Sequence, residues 1–426
     1  MELYIHIPFC VRKCRYCDFV SFPGRLGEME DYITHVLREA ELRSAALPAQ
    51  LCRLDTVYIG GGTPSLLPPS QLRRLMEGLR RWFDFSGVTE FTVEANPGTV
   101  TEAWADTAVR LGVNRVSMGM QAFQPHLLHT LGRIHTYEDV ERSVKILRDA
   151  GIRNLSLDLM FGLPGQTMED WRESLSAALR LAPEHISAYG LIPEENTPLY
   201  EDLQQGVLKL PEPEEERAMY DEALSCLSRQ GFEQYEISNF SLPGFACVHN
   251  IGYWTQVPYL GLGLAAASMF PEGMLDNPVS PACQAMNAAV PEGSTEALPE
   301  DSASGQGLSL RQWENGFPCL RETNPASFEA YDSMLRLAAA SSSPGRITER
   351  VSAEEARFET MMLGLRMNAG VSEAFFRRLH GVSLDDVYGK KLRRLAEQGL
   401  VTFDSGSWRL TRKGMDLQNT VLVELM

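Results

Sequence analysis

Apolar runs and helical patterns alternate along the first half of the chain. Short apolar or β-branched runs predict strands near 56–62, 90–98, 115–120, 154–165 and 185–193. Helices are predicted over 29–46, 69–83, 101–111, 137–150 and 168–181, the last four from apolar residues at helical spacing, and Gly151 is expected to cap one of them. Strands that alternate with helices in this way indicate βα units and a parallel sheet. About six units fit before residue 195, which favours an α/β fold with an open, partial (β/α)6 barrel over a closed eight-stranded one.

Glycine and polar residues lie at the carboxyl ends of the predicted strands. They are Gly60, Gly61, Gly62, Thr63, Glu94, Gln121, Asp158 and Gly162. In parallel α/β folds ligands bind along that edge of the sheet. Loops are rich in glycine and aspartate, so one coincidence would carry little weight. Because successive strands repeat the pattern, we expect a single site there.

The composition changes in the second half of the chain. Residues 271–346 are rich in Ala, Ser, Pro and Gly, which predicts a loosely packed insertion with a short structured piece around "RQWENGFPCL". After it, "EARFETMMLGLRMNAGV" and "SLDDVYGKKLRRLAEQGL" predict two helices, and "VTFDSGSWRLTRKG" predicts a hairpin. These patterns divide the chain into a core domain over 1–240, a connecting region over 241–346, and a small α+β winged-helix-like domain over 347–426.

Charge and hydropathy narrow the class of protein. The formal net charge of -17 argues against general nucleic-acid binding, because phosphate backbones attract basic surfaces. No apolar run reaches the roughly 18 residues needed to cross a bilayer. The start "MELYIHIPFC" has no basic region and no small-residue cleavage site. We therefore expect a cytoplasmic protein with reduced thiols and no nucleic-acid partner, although winged-helix domains often bind DNA.

Three cysteines near the start carry the candidate chemistry. Cys10, Cys14 and Cys17 are spaced C-x3-C-x2-C. Structural zinc usually takes four ligands in two pairs, and no second pair lies nearby. Three thiolates can instead hold three irons of a [4Fe–4S] cluster and leave the fourth iron open. The spacing is that of radical S-adenosyl-L-methionine (SAM) enzymes, in which the open iron binds SAM. The other cysteines are expected to be small buried apolar residues: Cys52, Cys226, Cys247, Cys283 and Cys319.

Ordered motifs along the chain support this interpretation. They are "YIHIPFC", "CDF", "GGGTPS", "EANP", "QAFQPHLLHTLGRIH", "DLMFGLPGQT", "YEISNF", "HNIGYW" and "WRLTRKG". With them the chain resembles the oxygen-independent coproporphyrinogen III oxidase family of radical SAM proteins, most closely its heme-chaperone branch, HemW. The resemblance covers nearly all of the chain outside roughly 271–310.

The resemblance implies a role for each matching position. Cys10, Cys14 and Cys17 match the cluster ligands. The implied SAM contacts are Tyr4, Tyr16, Gly61, Gly62, Thr63, Glu94, Gln121, Arg133, Asp158 and Ile192. Among these, the glycines allow close backbone approach, and Ile192 is expected against the adenine. Without the motifs, Arg133 and Asp158 would be read as members of structural ion pairs.

One position separates the oxidase from the chaperone. The oxidase carries a further cysteine two residues after the third, and here that position is Phe19. The chaperone branch shares this replacement and has an H-N-x-x-Y-W motif, present here from His249 to Trp254. An imidazole can ligate heme iron and aromatic rings can stack on a porphyrin. The alternative is that His249 is a packed histidine.

The chain departs from its relatives just after this motif. Relatives read G-x-G-P-x-A-H-S, whereas this chain reads "GLGLAAAS", with Leu264 in place of the proline and Ala267 in place of the histidine. Any function that depends on that second histidine is therefore not expected here.

Three hypotheses follow from the sequence. The first is a SAM-linked protein that binds heme and delivers it to hemoproteins, membrane-associated ones included. The second is a radical SAM enzyme acting on a tetrapyrrole, and the third is a nucleic-acid regulator using the winged-helix-like domain. The acidic charge disfavours the third, and Phe19 disfavours the oxidase, so the heme chaperone is favoured over an enzyme.

Overall fold

The structure is a computed structural model that describes residues 1–271, 319–338 and 345–426. Most of the predicted insertion, including 311–318 of the expected structured piece, lies outside the described residues, as does Cys283.

Six parallel strands form the centre of the structure. They are β1 (Glu2–Ile7), β2 (Thr56–Gly61), β3 (Glu90–Ala95), β4 (Arg115–Gln121), β5 (Asn154–Phe161) and β6 (His185–Gly190). Each strand pairs with the next in this order, all parallel. The predicted partial (β/α)6 barrel is confirmed.

Helices connect these strands and cover their outer side. They are α1 (Met29–Ala46), α2 (Pro69–Leu79), α3 (Glu102–Arg110), α4 (Pro125–Thr130), α5 (Tyr137–Ala150), α6 (Met168–Arg180), α7 (Pro198–Gln204) and α8 (Pro213–Arg229). Five of them were predicted within a few residues. Gly151 caps α5 with φ 109°, as expected of a glycine in the left-handed region.

Alternation along each strand separates the apolar core from a polar lumen. On β1, Leu3, Ile5 and Ile7 are fully buried in the core that also includes helix residues. The residues between them, such as Tyr4 and His6, face the other way because successive side chains of a strand point to opposite faces. The lumen is therefore lined by polar side chains from neighbouring strands.

The sheet continues beyond the barrel on both sides. The added strands are β7 (Glu233–Glu236), β8 (Asn239–Ser241), β9 (Tyr259–Leu262), β10 (Ala267–Pro271), β11 (Cys319–Thr323) and β12 (Ile347–Val351). The order across all twelve strands is β12-β11-β10-β9-β1-β2-β3-β4-β5-β6-β8-β7. Strand β9 is parallel to β1. Strands β10, β11 and β12 each pair antiparallel with the strand before them. The sequence analysis had not predicted these strands: β7 and β8 are short and largely polar, and β9 and β10 lie in a Gly- and Ala-rich stretch.

The described part of the connecting region contains two helices. Helix α9 (Val248–Trp254) carries the H-N-x-x-Y-W motif, and α10 (Phe328–Ala338) follows β11. Tyr331 of α10 is fully buried and donates a 2.6 Å hydrogen bond to Glu39 of α1. The described part of the predicted insertion therefore packs firmly against the barrel.

The C-terminal residues form a winged-helix-like unit with its own apolar core. It contains α11 (Ala353–Gly364), β13 (Val371–Ser372), α12 (Glu373–His380), α13 (Leu384–Glu397), β14 (Val401–Asp404), β15 (Ser407–Leu410), α14 (Arg412–Asp416) and α15 (Gln418–Leu425). The two predicted helices and the hairpin are present, and β13 adds a third strand. The ion pair Arg217–Asp416, at 2.7 Å, joins this unit to the barrel.

The described helices include none with the length and apolar character required of a membrane span.

Candidate functional site

The cysteine loop leaves the carboxyl end of β1 and is fastened at several points. Gly62 N–H donates to the Ile7 carbonyl at 2.9 Å, which brings the end of β2 against the start of the loop. The backbone N–H of Arg15 donates to the Leu131 carbonyl at 2.9 Å, and the Arg15 carbonyl accepts from Leu199 N–H at 3.0 Å. The loop is therefore held against the segments that follow β4 and β6.

The three thiols of this loop lie close enough to influence one another electrostatically. Cys10 is buried, and Thr63 Oγ1 lies 3.6 Å from its sulfur. Arg133 Nη1 lies 3.6 Å from the sulfur of Cys14. Burial raises the pKa of Cys10 and of Cys17. Among the described residues, no three His, Cys, Asp or Glu side chains are grouped tightly enough to hold a single metal ion.

The glycines at the end of β2 allow close packing. Gly61 has φ 113°, and a Cβ there would lie 2.5 Å from the His6 ring. A Cβ at Gly62 would lie 2.7 Å from the Phe9 carbonyl oxygen. Both positions exclude larger residues for steric reasons. Packing against His6 and Phe9 is thus a structural reason for glycine here, beside the close approach to SAM that the resemblance implies.

Glu94 lies at the end of β3 and faces the lumen. Its Oε1 accepts a 2.8 Å hydrogen bond from the Tyr58 hydroxyl, and its Oε2 accepts a 3.0 Å bond from Gly61 N–H. Burial raises the pKa of this carboxyl, while the two hydrogen bonds act in the opposite direction. Glu94 and the glycine-rich strand end thus belong to one cleft.

Arg133 crosses from the segment after α4 into the same cleft. Its Nη2 donates to Asn96 Oδ1 at 2.9 Å and to the Gly119 carbonyl at 2.7 Å. Asn96 in turn donates to Thr63 Oγ1 at 2.8 Å. This chain of hydrogen bonds connects the ends of β2, β3 and β4 to Cys14.

Gln121 lies at the end of β4, whereas Asp158 lies in the middle of β5 and not at the strand end expected from the sequence. Gln121 has φ 65° at an irregularity in the β4–β5 pairing, and its Oε1 accepts from the Tyr189 hydroxyl at 2.9 Å. Asp158 faces the lumen and accepts from Ser117 Oγ at 3.2 Å. Burial raises the pKa of Asp158. The charge of Asp158 also contributes to the raised pKa of Glu94.

The remaining predicted SAM contacts differ in exposure. Tyr4 lies in the lumen, where its hydroxyl is 3.0 Å from His6 Nδ1. Tyr16 packs against the apolar cluster that contains Leu127 and Leu191. Ile192 is 71% exposed beyond the end of β6. The Ile192 side chain is therefore not part of an enclosed pocket in this structure.

His249 does not join the cleft. It lies at the opposite, amino-terminal end of the lumen and is fully buried. Its Nδ1 is 2.7 Å from Thr56 Oγ1, and its Nε2 is 3.0 Å from the Tyr253 hydroxyl. Burial, and then the charge of Arg115, lower the pKa of His249 to about 3. Both ring nitrogens are engaged within the protein in this conformation.

Leu264 shows how the departure from the family pattern is accommodated. Its backbone N–H donates to the Tyr32 hydroxyl at 3.0 Å, a bond that proline cannot make. Ala267 lies on β10, half-buried.

Sequence reasoning missed three residues of the cleft: Tyr58, Asn96 and Tyr189. Tyr58 and Tyr189 alternate with the apolar core residues of β2 and β6, so strand periodicity could have placed them in the lumen. Asn96 was inside the quoted "EANP" motif. Of the scattered cysteines, Cys52, Cys247 and Cys319 are buried as predicted, and Cys226 is half-buried.

Comparison with known proteins agrees with this architecture. A family profile described as the radical SAM superfamily matches residues 4–178, and one described as the HemN C-terminal domain matches residues 351–417. The structure of coproporphyrinogen III oxidase (HemN) from Escherichia coli is similar, with a TM-score of 0.74 over 100% of this chain and 89% of that chain, at 20% identity. The fold and the cleft define a radical SAM protein with a HemN-type C-terminal domain.

Curated relatives narrow the family. The heme chaperone HemW of Bacillus subtilis (strain 168) is 36% identical over 98% of this chain and 97% of its own length. The protein of the same name from Lactococcus lactis subsp. lactis is 32% identical over 99% and 96%. That of Escherichia coli (strain K12) is 39% identical over 65% of this chain and 72% of its own. The chain belongs to the HemW family.

Proposed function

We propose that this protein is a cytoplasmic heme chaperone of the radical SAM type, which holds a [4Fe–4S] cluster, binds SAM and delivers heme to hemoproteins, membrane-associated ones included. The observation that carries the proposal is the near full-length likeness to HemW relatives combined with Phe19, which is 70% exposed where the oxidase has its additional cysteine. That likeness favours the chaperone over a coproporphyrinogen oxidase.

Cys10, Cys14 and Cys17 are the proposed cluster ligands. Three soft thiolate donors on one short loop suit iron–sulfur binding. The Arg133 guanidinium beside Cys14 would offset part of the negative charge of the thiolates. When bound, the cluster supplies the electron for SAM chemistry. Burial of Cys10 limits access of water and oxidants to its sulfur, whereas Cys14 and Cys17 are half-buried.

The proposed SAM site is the cleft beside that loop. The fixed Glu94 carboxylate can accept hydrogen bonds from an amino group, and the half-buried backbone at Gly61 and Gly62, which carries no side chain, can approach a methionyl chain closely. Gln121 and Asp158 offer polar groups further along the edge, and Ile192 offers an apolar face for a base.

Heme binding is supported by the family and by the H-N-x-x-Y-W motif, but it has a structural requirement. His249 can ligate iron only after Nε2 leaves the Tyr253 hydroxyl, because both ring nitrogens are engaged and the ring is buried. Ligation by His249 therefore needs α9 to open locally. The lowered pKa of His249 keeps the ring neutral at physiological pH, as ligation needs.

Cluster binding is tested by replacing the loop cysteines. Anaerobically reconstituted protein with Cys10, Cys14 and Cys17 all changed to Ala is expected to lose the iron–sulfur absorbance and its bound iron. Cys226→Ala is the matched control, since that half-buried cysteine lies on α8 outside the loop. Undiminished iron in the triple variant would refute the assignment.

Heme handling is tested by titration of heme into the folded wild type and into His249→Ala. A shifted Soret band that weakens in the variant supports His249 as the ligand. Equal heme affinity in both proteins would point to another ligand. An anaerobic assay with coproporphyrinogen III runs in parallel, and efficient formation of decarboxylated product would favour the oxidase alternative.

A further inference from the structure

Tyr58 connects the H-N-x-x-Y-W helix with the cleft through the polar lumen. Its ring stacks on His249, with 5.1 Å between ring centroids and 26° between planes. The same ring stacks on Tyr4 at 6.1 Å and 29°. Its hydroxyl donates to Glu94 Oε1 at 2.8 Å. One side chain thus contacts both the floor of the lumen and a carboxylate of the cleft.

The end of β2 is shaped around the Tyr58–Glu94 pair. A Cβ at Gly60 would lie 2.8 Å from Tyr58 Cε1 and 3.0 Å from Glu94 Cδ. The second carboxylate oxygen is held by Gly61 N–H at 3.0 Å. Glu94 is therefore held by two donors from β2, one on each carboxylate oxygen.

The support behind Tyr58 is rigid. His249 is hydrogen-bonded through Nδ1 to Thr56 and through Nε2 to Tyr253. The carboxylate of Glu90 accepts the backbone N–H groups of Val248 and His249 at 2.8 and 3.1 Å, which anchors the start of α9. The His249 ring cannot leave Tyr58 without losing these bonds.

We propose that Tyr58 is a positioning residue for the SAM site: it orients Glu94, and the H-N-x-x-Y-W helix holds Tyr58 in place through His249. The inference rests on the proposed binding of SAM in the cleft. It gives the motif a role at the floor of that site, in addition to any contact with heme.

The electrostatics of Glu94 agree with this role. The groups facing it are Tyr58, Tyr4, Arg115 and Asp158, together with Gly61 N–H. Burial raises the pKa of Glu94, and the Tyr58 hydrogen bond opposes that rise. Without the Tyr58 hydroxyl the ionised form of Glu94 is less stable relative to its protonated form. The loss of SAM affinity at low pH should therefore begin at a higher pH than in the wild type.

The test uses anaerobic, cluster-loaded protein and equilibrium binding of SAM. Tyr58→Phe keeps the stacked ring and removes only the hydroxyl. Because Glu94 then keeps only the Gly61 N–H as a donor, a loss of SAM affinity of roughly tenfold is expected. Iron content should be unchanged, and the low-pH limit of binding should move upward.

A double variant separates positioning from general damage. If Tyr58 acts through Glu94, then Tyr58→Phe combined with Glu94→Gln should bind SAM no more weakly than Glu94→Gln alone. Tyr331→Phe is the matched control, because it also removes a buried phenol that donates to a carboxylate, that of Glu39, away from the cleft. That control should lose stability and keep its SAM affinity.

The outcomes distinguish failure of the proposed SAM binding from failure of the proposed role of Tyr58. A wild type that binds no SAM would overturn the proposed function and this inference with it. A wild type that binds SAM, with equal affinity in Tyr58→Phe, would overturn the inference alone. Additive losses in the double variant would do the same, since they would show that Tyr58 does not act through Glu94.

Discussion

Glu39 fastens the connecting region to the barrel, and its replacement by glutamine should be strongly destabilising. This fully buried carboxylate of α1 accepts four hydrogen bonds. Oε1 accepts from Asn324 Nδ2 at 2.8 Å and Arg346 Nη2 at 2.9 Å. Oε2 accepts from Gly263 N–H at 2.8 Å and the Tyr331 hydroxyl at 2.6 Å. All four donors come from residues after β9.

Glu39→Gln keeps the shape of the side chain and replaces one acceptor oxygen by an NH2 donor. Whichever way the amide turns, two of the four donors then face another donor. A buried donor without a partner costs about 1–3 kcal/mol, so two cost about 2–6 kcal/mol. The free-energy cost of losing the negative charge beside Arg346 lies in the same range, since breaking a buried ion pair costs about 3–5 kcal/mol. We expect the free energy of unfolding to fall by about 3–5 kcal/mol.

Urea unfolding followed by circular dichroism measures this loss as a lower transition midpoint. Glu41→Gln is the matched control on the same helix, because the Glu41 side chain is 41% exposed and forms a surface ion pair with Arg38. Such a surface pair is worth about 0–1 kcal/mol. Equal midpoints for the two variants would refute the view that Glu39 carries the docking of the connecting region.

Two further predictions concern the lumen and the cleft. Gly61→Ala and Gly151→Ala place a Cβ at nearly the same φ, 113° and 109°, yet only the Cβ at position 61 meets the His6 ring. In urea unfolding, Gly61→Ala should therefore lower the free energy of unfolding by about 1–3 kcal/mol more than Gly151→Ala does, and it should lose bound iron. Equal losses of stability in the two variants would refute this. Burial, and then a nearby arginine, lower the pKa of His185 well below its usual value, so the contribution of the neutral ring to stability is complete above about pH 6.5 and is lost as pH falls toward the folded-state pKa. His185→Gln should therefore flatten the fall in the free energy of unfolding below that pH by up to about 1.4 kcal/mol per pH unit, and replacement of the exposed His126 by Gln should not. An unchanged slope in His185→Gln would contradict this direction of the pKa shift.

Local patterns of the sequence were sufficient for the barrel. Alternating apolar runs and helical spacing located five of the six parallel strands, all but β1, and five of their helices, because each pattern spans a few residues. Capping signals such as Gly151 are equally local. The strands β9 to β12 were missed because they are short and lie beside a Gly- and Ala-rich segment. Their pairing partners, not their own residues, make them strands.

The candidate cleft was predictable for a topological reason. Parallel strands place their carboxyl ends on one edge, so Glu94 at the end of β3 and Gln121 at the end of β4 had to share that edge once the strand order was known. The His249 motif followed no such rule. Its position is set by a hydrogen bond to Thr56, 193 residues earlier in the chain, and local periodicity contains no information about such a contact.

The sequence by itself determined the βα alternation, the three-cysteine loop and the polar strand ends, because those depend on spacing along the chain. The tertiary structure alone decided which end of the lumen each motif occupies. It put Tyr58 between His249 and Glu94, and it gathered four donors around Glu39. Buried polar groups must find partners wherever the fold brings donors and acceptors together, so these contacts depend on long-range packing and not on any short run of residues.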